Sequence, residues 1–111
     1  MPKYVFIYHA PPMPADAPPP DPDDVQQMMD AWHGWANSLG GGLIDLGTPL
    51  AGGIHVEPDG TSVSTKEVAG YSIVEADTMP EAVEWARSHP HLNMPGGCSI
   101  EVHEAQPLPG T

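Results

Sequence analysis

Residues 71–86 read Tyr71-Ser72-Ile73-Val74-Glu75-Ala76-Asp77-Thr78-Met79-Pro80-Glu81-Ala82-Val83-Glu84-Trp85-Ala86, a strand followed at once by a helix. Tyr71 to Ala76 predicts the strand, with Tyr71 and Ile73 on one side and Ser72 and Val74 on the other. Thr78 and Glu81 have the spacing of a capping box, and Pro80 lies in the first turn, where its missing N–H costs nothing. Met79, Ala82, Val83 and Ala86 continue as an apolar stripe. The helix must stop near His89, because Pro90 cannot continue it.

Working outward from that stretch, Ile54 to Glu57 and Thr61 to Ser64 flank Pro58-Asp59-Gly60, a turn sequence that predicts a hairpin. Leu43 to Leu46 predicts a short strand. Before it, Val25, Met28, Met29, Trp32, Trp35, Ala36 and Leu39 recur at steps of three and four and mark one apolar helix face. Asp23 or Asp24 is the expected cap of this helix, and Gly40-Gly41-Gly42 its end. Residues 11–22 are proline-rich and predict a stiff, extended surface loop. Tyr4-Val5-Phe6-Ile7-Tyr8 opens the chain as a strand, and residues 98–104 alternate as the last one. Residues 105–111 read as a frayed tail.

The order strand, helix, strand, hairpin, strand, helix, strand describes an α+β fold. It is a ferredoxin-like βαββαβ unit with an inserted hairpin, whose antiparallel sheet carries both helices on one face. The first and penultimate strands, however, offer large side chains to both faces. Val5 and Ile7 oppose Tyr4, Phe6 and Tyr8. Two apolar faces with helices for only one imply a second cover, and the simplest is another copy of the same sheet, giving a homodimer.

The 111 residues fit one domain, 1–111. Fifteen Asp and Glu against three Lys and Arg give a net charge of −12, which excludes nucleic acid and anionic membrane surfaces as partners. The apolar run after Met1-Pro2-Lys3 is too short for a signal peptide or a membrane span, so a cytoplasmic protein is expected. The single cysteine, Cys98, fits a reducing compartment and has no neighbouring cation to activate it.

With Tyr4 to Tyr8, Ala31-Trp32-His33-Gly34-Trp35, Gly47-Thr48-Pro49-Leu50, Thr65-Lys66-Glu67, Ala69 to Ala76, Pro80 to Ala86 and Ser99 to Val102 in this order, the chain resembles the YCII-related family, close to its DGPF-domain branch. The resemblance implies a dimeric α/β barrel of ferredoxin-like protomers. The Asp-Gly-Pro-Phe segment itself is absent. Relatives similar to YciI carry an Asp ending the first strand and a His on the first helix. Here the strand ends Tyr8-His9-Ala10 and His33 sits later on the helix, so that pair does not transfer.

Six histidines are the most informative polar feature. His9, at a strand end where loops gather, is a candidate general base. His33 flanks the apolar stripe, and Asp45, between Ile44 and Leu46, is a candidate partner for a histidine if its strand is central. Tyr8, Trp32 and Trp35 are candidate pocket walls, although the tryptophans belong first to the core stripe. Glu75 and His103 fall, with Glu101, on the dimer-facing side. His91, in the loop sequence His89-Pro90-His91, is a further ligand contact. Two histidines at that spacing without a third donor do not make a metal site.

The favoured reading is a small enzyme doing His-centred acid–base chemistry on a small cyclic or aromatic molecule, with His9, His33 and Asp45 as its machinery and no cofactor or metal. The competing reading is a non-catalytic ligand-binding or regulatory homodimer.

Overall fold

The computed structural model describes residues 2–11, 18–19, 21–94 and 96–109. The elements run β1 (Lys3–His9), α1 (Pro22–Ser38), β2 (Leu43–Asp45), β3 (Ile54–Glu57), β4 (Gly60–Val63), β5 (Val68–Glu75), α2 (Met79–Arg87) and β6 (Ser99–Glu104). Short 3-10 turns occupy Gly40–Gly42 and Pro90–Asn93. The main sheet is antiparallel in the order β2-β5-β1-β6, the arrangement of a ferredoxin-like α+β fold. β3 and β4 pair with each other in a separate two-stranded sheet. Among the described residues no helix is long and apolar enough to cross a membrane.

Strand alternation sorts the side chains as the sequence indicates. Tyr4, Phe6 and Tyr8 of β1 and Ser72 and Val74 of β5 are buried beneath the helices. Trp35 of α1 and Leu39 at its C-terminal cap, with Ala82 and Ala86 of α2, join that core. The small alanines let α2 approach the sheet closely, and the Trp35 indole donates to the Trp85 carbonyl at 2.8 Å, tying one helix to the other. On the opposite face Val5, Ile7, Tyr71 and Ile73 remain half-buried, and among the described residues no helix packs over them.

Several expectations are corrected. The cap of α1 is Asp21, not Asp23 or Asp24: its carboxylate accepts from the Asp23 N–H at 2.8 Å, and Pro22 fills the first helical position with its preset φ. The expected loop 11–22 therefore ends one residue early; residues 12–17 and 20 within it lie outside the described residues, as do 110 and 111 of the expected tail. The stripe on α1 is core only in its C-terminal half. Met28 and Met29 are exposed and stand outside the core cluster. β2 is an edge strand, so Asp45 lies at the sheet's margin and is solvated. His89 and His91, expected in a loop after the helix, are buried at a 3-10 turn, with Pro90 half-buried between them.

Candidate functional site

Where α1 overhangs the end of β1, a cleft of about 240 Å³ opens. Met28, Met29 and Trp32 form its helical wall, and the segment Leu46 to Pro49 faces them. Tyr8 and Gly70, paired across β1 and β5, lie at its base, and His91 and Met94 close one side. Gly47 holds the facing segment in place with φ of +80°, and a Cβ there would run into the Tyr71 carbonyl oxygen. A second hollow of about 210 Å³ beside the hairpin is bounded by His55, Ser62, Val63, Thr65 and Lys66. None of these is buried, so that hollow is surface relief.

The polar groups at the base of the cleft form closed chains. The Tyr8 hydroxyl donates to Ser72 Oγ at 2.7 Å, and the Ser72 hydroxyl donates to the Leu46 carbonyl at 2.6 Å. Burial pushes the Tyr8 phenol up to about 12, partly offset by the Ser72 hydrogen bond, so it stays protonated at neutral pH. His91 is 3% exposed, and its Nε2 lies 3.0 Å from the main-chain oxygen of His9. A carbonyl only accepts, so Nε2 carries a proton, and in the neutral ring Nδ1 keeps a lone pair.

Beneath this layer sits His89, 1% exposed. Pro90 starts the 3-10 turn and forces the preceding residue into extended backbone; His89, at φ −72° and ψ 136°, acts as the cap, its Nδ1 accepting from the His91 N–H at 2.9 Å. Its ring is enclosed by Trp32 at 4.3 Å, Trp35 at 4.2 Å and Tyr8 at 4.8 Å between centroids. Burial, and then the neighbouring His91, lower its pKa to about 3, so the imidazole is neutral. Its Nε2 is buried without a hydrogen-bond partner, as is the Trp32 indole nitrogen.

The three residues expected to act together, His9, His33 and Asp45, do not line this cleft. The His9 ring lies at the end of β1 on the uncovered sheet face, its Nδ1 donating to the Lys66 carbonyl at 2.8 Å and its Nε2 3.6 Å from Glu101. His33 is exposed on α1. Asp45 Oδ1 accepts from the Gly47 N–H at 2.8 Å, a local turn contact. Of the expected pocket residues, Tyr8, Trp32 and His91 meet in the cleft, while Trp35 stands behind it in the core. Glu75, opposite Lys3, and His103 belong to the uncovered sheet face. There the His103 imidazole donates to Glu101 at 3.0 Å, and that hydrogen bond is the first cause holding the Glu101 carboxyl below the usual range.

Sequence reasoning missed His89 as a structural centre and Met94 as a wall. The available signal was Pro90, which fixes the conformation of His89, together with two indoles at helical spacing that need a flat neighbour. Among the described residues no three His, Cys, Asp or Glu side chains group as a metal site.

A comparison with curated proteins finds no match. The family model of the YCII-related domain matches residues 5–106, which takes in both helices and the whole sheet except Lys3 and Tyr4 at the start of β1. The chain belongs to the YCII-related domain family.

Proposed function

We propose that this protein binds a small, uncharged, ring-sized organic molecule in the cleft between α1 and the Pro90–Asn93 turn. The observation that carries this reading is the cleft itself: thioether and indole walls over a base of hydrogen-bonded polar groups, the mixture by which small-molecule sites combine affinity with orientation. A volume of about 240 Å³ lies below the roughly 300–1,000 Å³ of drug-sized sites and suits one or two rings. No Lys or Arg lines it, and a chain of net charge −12 disfavours anions.

The binding unit is a homodimer, paired through the uncovered sheet faces into a dimeric α/β barrel. The half-buried row Val5, Ile7, Tyr71 and Ile73 supports this pairing. A second reading, acid–base catalysis, is favoured by the fixed tautomer of His91, whose unprotonated Nδ1 suits the role first expected of the His9 side chain.

The test is a screen of neutral one- and two-ring molecules read by thermal shift, on the wild type and on Met29→Glu. Met29 is 41% exposed, so the carboxylate is tolerated by the fold while it fills the apolar wall. Hits that raise Tm in the wild type and not in the variant are expected. Hits indifferent to Met29→Glu, or none at all, would move the site elsewhere.

A further inference from the structure

We propose that the cleft selects ring molecules bearing a hydroxyl that donates a hydrogen bond, a phenol or cyclic alcohol, over the corresponding ether or carboxylate. This rests on the cleft being the ligand site and adds which chemistry it accepts. The argument is an accounting of donors. The Tyr8 hydroxyl hydrogen is committed to Ser72, that of Ser72 to Leu46, that of Tyr71 to Asp45, the Gly47 N–H to Asp45, and the Nε2 hydrogen of His91 to His9, while the Thr48 hydroxyl belongs to a solvent-exposed residue of the facing segment. The Trp32 indole nitrogen, although on a lining residue, is itself buried. What the base of the cleft has left to offer is lone pairs, on the Tyr8 phenol oxygen and on His91 Nδ1.

A ligand hydroxyl satisfies those lone pairs. An ether oxygen places a lone pair against them and must shed its water without replacement. A carboxylate does the same with a full charge, where no lining side chain is cationic. The thioether and indole walls hold the ring, and the acceptors orient its hydroxyl toward the end of β1.

The experiment uses the full chain with ¹³C-labelled methionine methyls, titrated with 4-methylphenol, 4-methylanisole and 4-methylbenzoate. The phenol is expected to bind at least tenfold tighter than the anisole, shifting the Met28, Met29 and Met94 methyls, with no response to the benzoate. In His91→Phe the phenol-to-anisole ratio should fall below threefold while anisole affinity holds. Tyr8→Phe is the second variant and should lower the same ratio. Equal binding of phenol and anisole at these methyls would overturn hydroxyl selection and leave the cleft as the binding site. Tightest binding of the benzoate would overturn the selection too. Silence from all three would overturn the selection and the cleft reading together.

Discussion

The Nε2 of His91 lies 3.0 Å from the main-chain oxygen of His9, across a separation of 82 residues. Two histidines that the sequence marks as candidates for chemistry are thus joined, but through the backbone of one and the ring of the other. The consequence is a division of labour. His9 fixes the tautomer of His91 whatever its own side chain does, and its ring turns away to Lys66 and Glu101 on the uncovered sheet face.

Beneath that contact, His89 makes stability depend on pH. Its folded value of about 3 lies below the ordinary 6.5, so between these values the unfolded chain binds the extra proton. The contribution is whole above pH 6.5 and is lost as the pH falls toward 3. At about 1.4 kcal/mol per unit below 6.5, lowering the pH from 7 to 4.5 costs on the order of 3 kcal/mol through this residue. Urea unfolding of the wild type and His89→Phe should show the shallower pH slope in the variant. Its stability at pH 7 should drop by roughly 1–3 kcal/mol, since the His91 N–H loses its acceptor.

Ser72→Ala should destabilise by about 1–3 kcal/mol, because it strips the Leu46 carbonyl of its donor and the Tyr8 hydroxyl of its acceptor in one step. Equilibrium denaturation measures this. A change within error would mean that these groups find other partners at no cost.

Gly47→Ala should destabilise by about 1–3 kcal/mol, since φ of +80° and the Tyr71 carbonyl both oppose a Cβ. Gly52→Ala, also at positive φ but with open space around it, should cost less. Thermal melts of the two variants side by side check the ordering.

The fold was legible because its signals are local. Alternation in β1 and β5 assigned Tyr4, Phe6 and Val5 to their faces, and Thr78 with Pro80 announced the start of α2, where Glu81 N–H meets Thr78 Oγ1 at 3.3 Å. The site was legible only in part. Tyr8, Trp32 and His91 were identified as separate residues, but their meeting depends on contacts between distant elements. A periodicity of 3.6 says which side of α1 is apolar, and it does not say where along its length the sheet ends. Met28 and Met29 therefore read as core and are cleft wall. Whether Asp45 sits on a central or an edge strand was open for the same reason, since strand order is a property of pairing and not of composition, and β2 lies at the edge.

The uncovered row Val5, Ile7, Tyr71 and Ile73 predicts a dimer. Light scattering at micromolar concentration should return twice the 11.8 kDa chain mass. Ile73→Asp, which buries an unpaired carboxylate at a cost of several kcal/mol (about 3–5), should give monomers or aggregates. A monomeric wild type would remove the barrel from the account.

The central claim is that the cleft is the site and that His91, not the His9 side chain, is its polar determinant. Titrating 4-methylphenol into His9→Ala and His91→Phe, with labelled methionine methyls as the reporter, tests it directly. His9→Ala keeps the carbonyl that orients His91, so affinity should stay within threefold of the wild type, while His91→Phe should lose about tenfold. Loss of binding in His9→Ala with full binding in His91→Phe would contradict the account and place the chemistry on the uncovered sheet face.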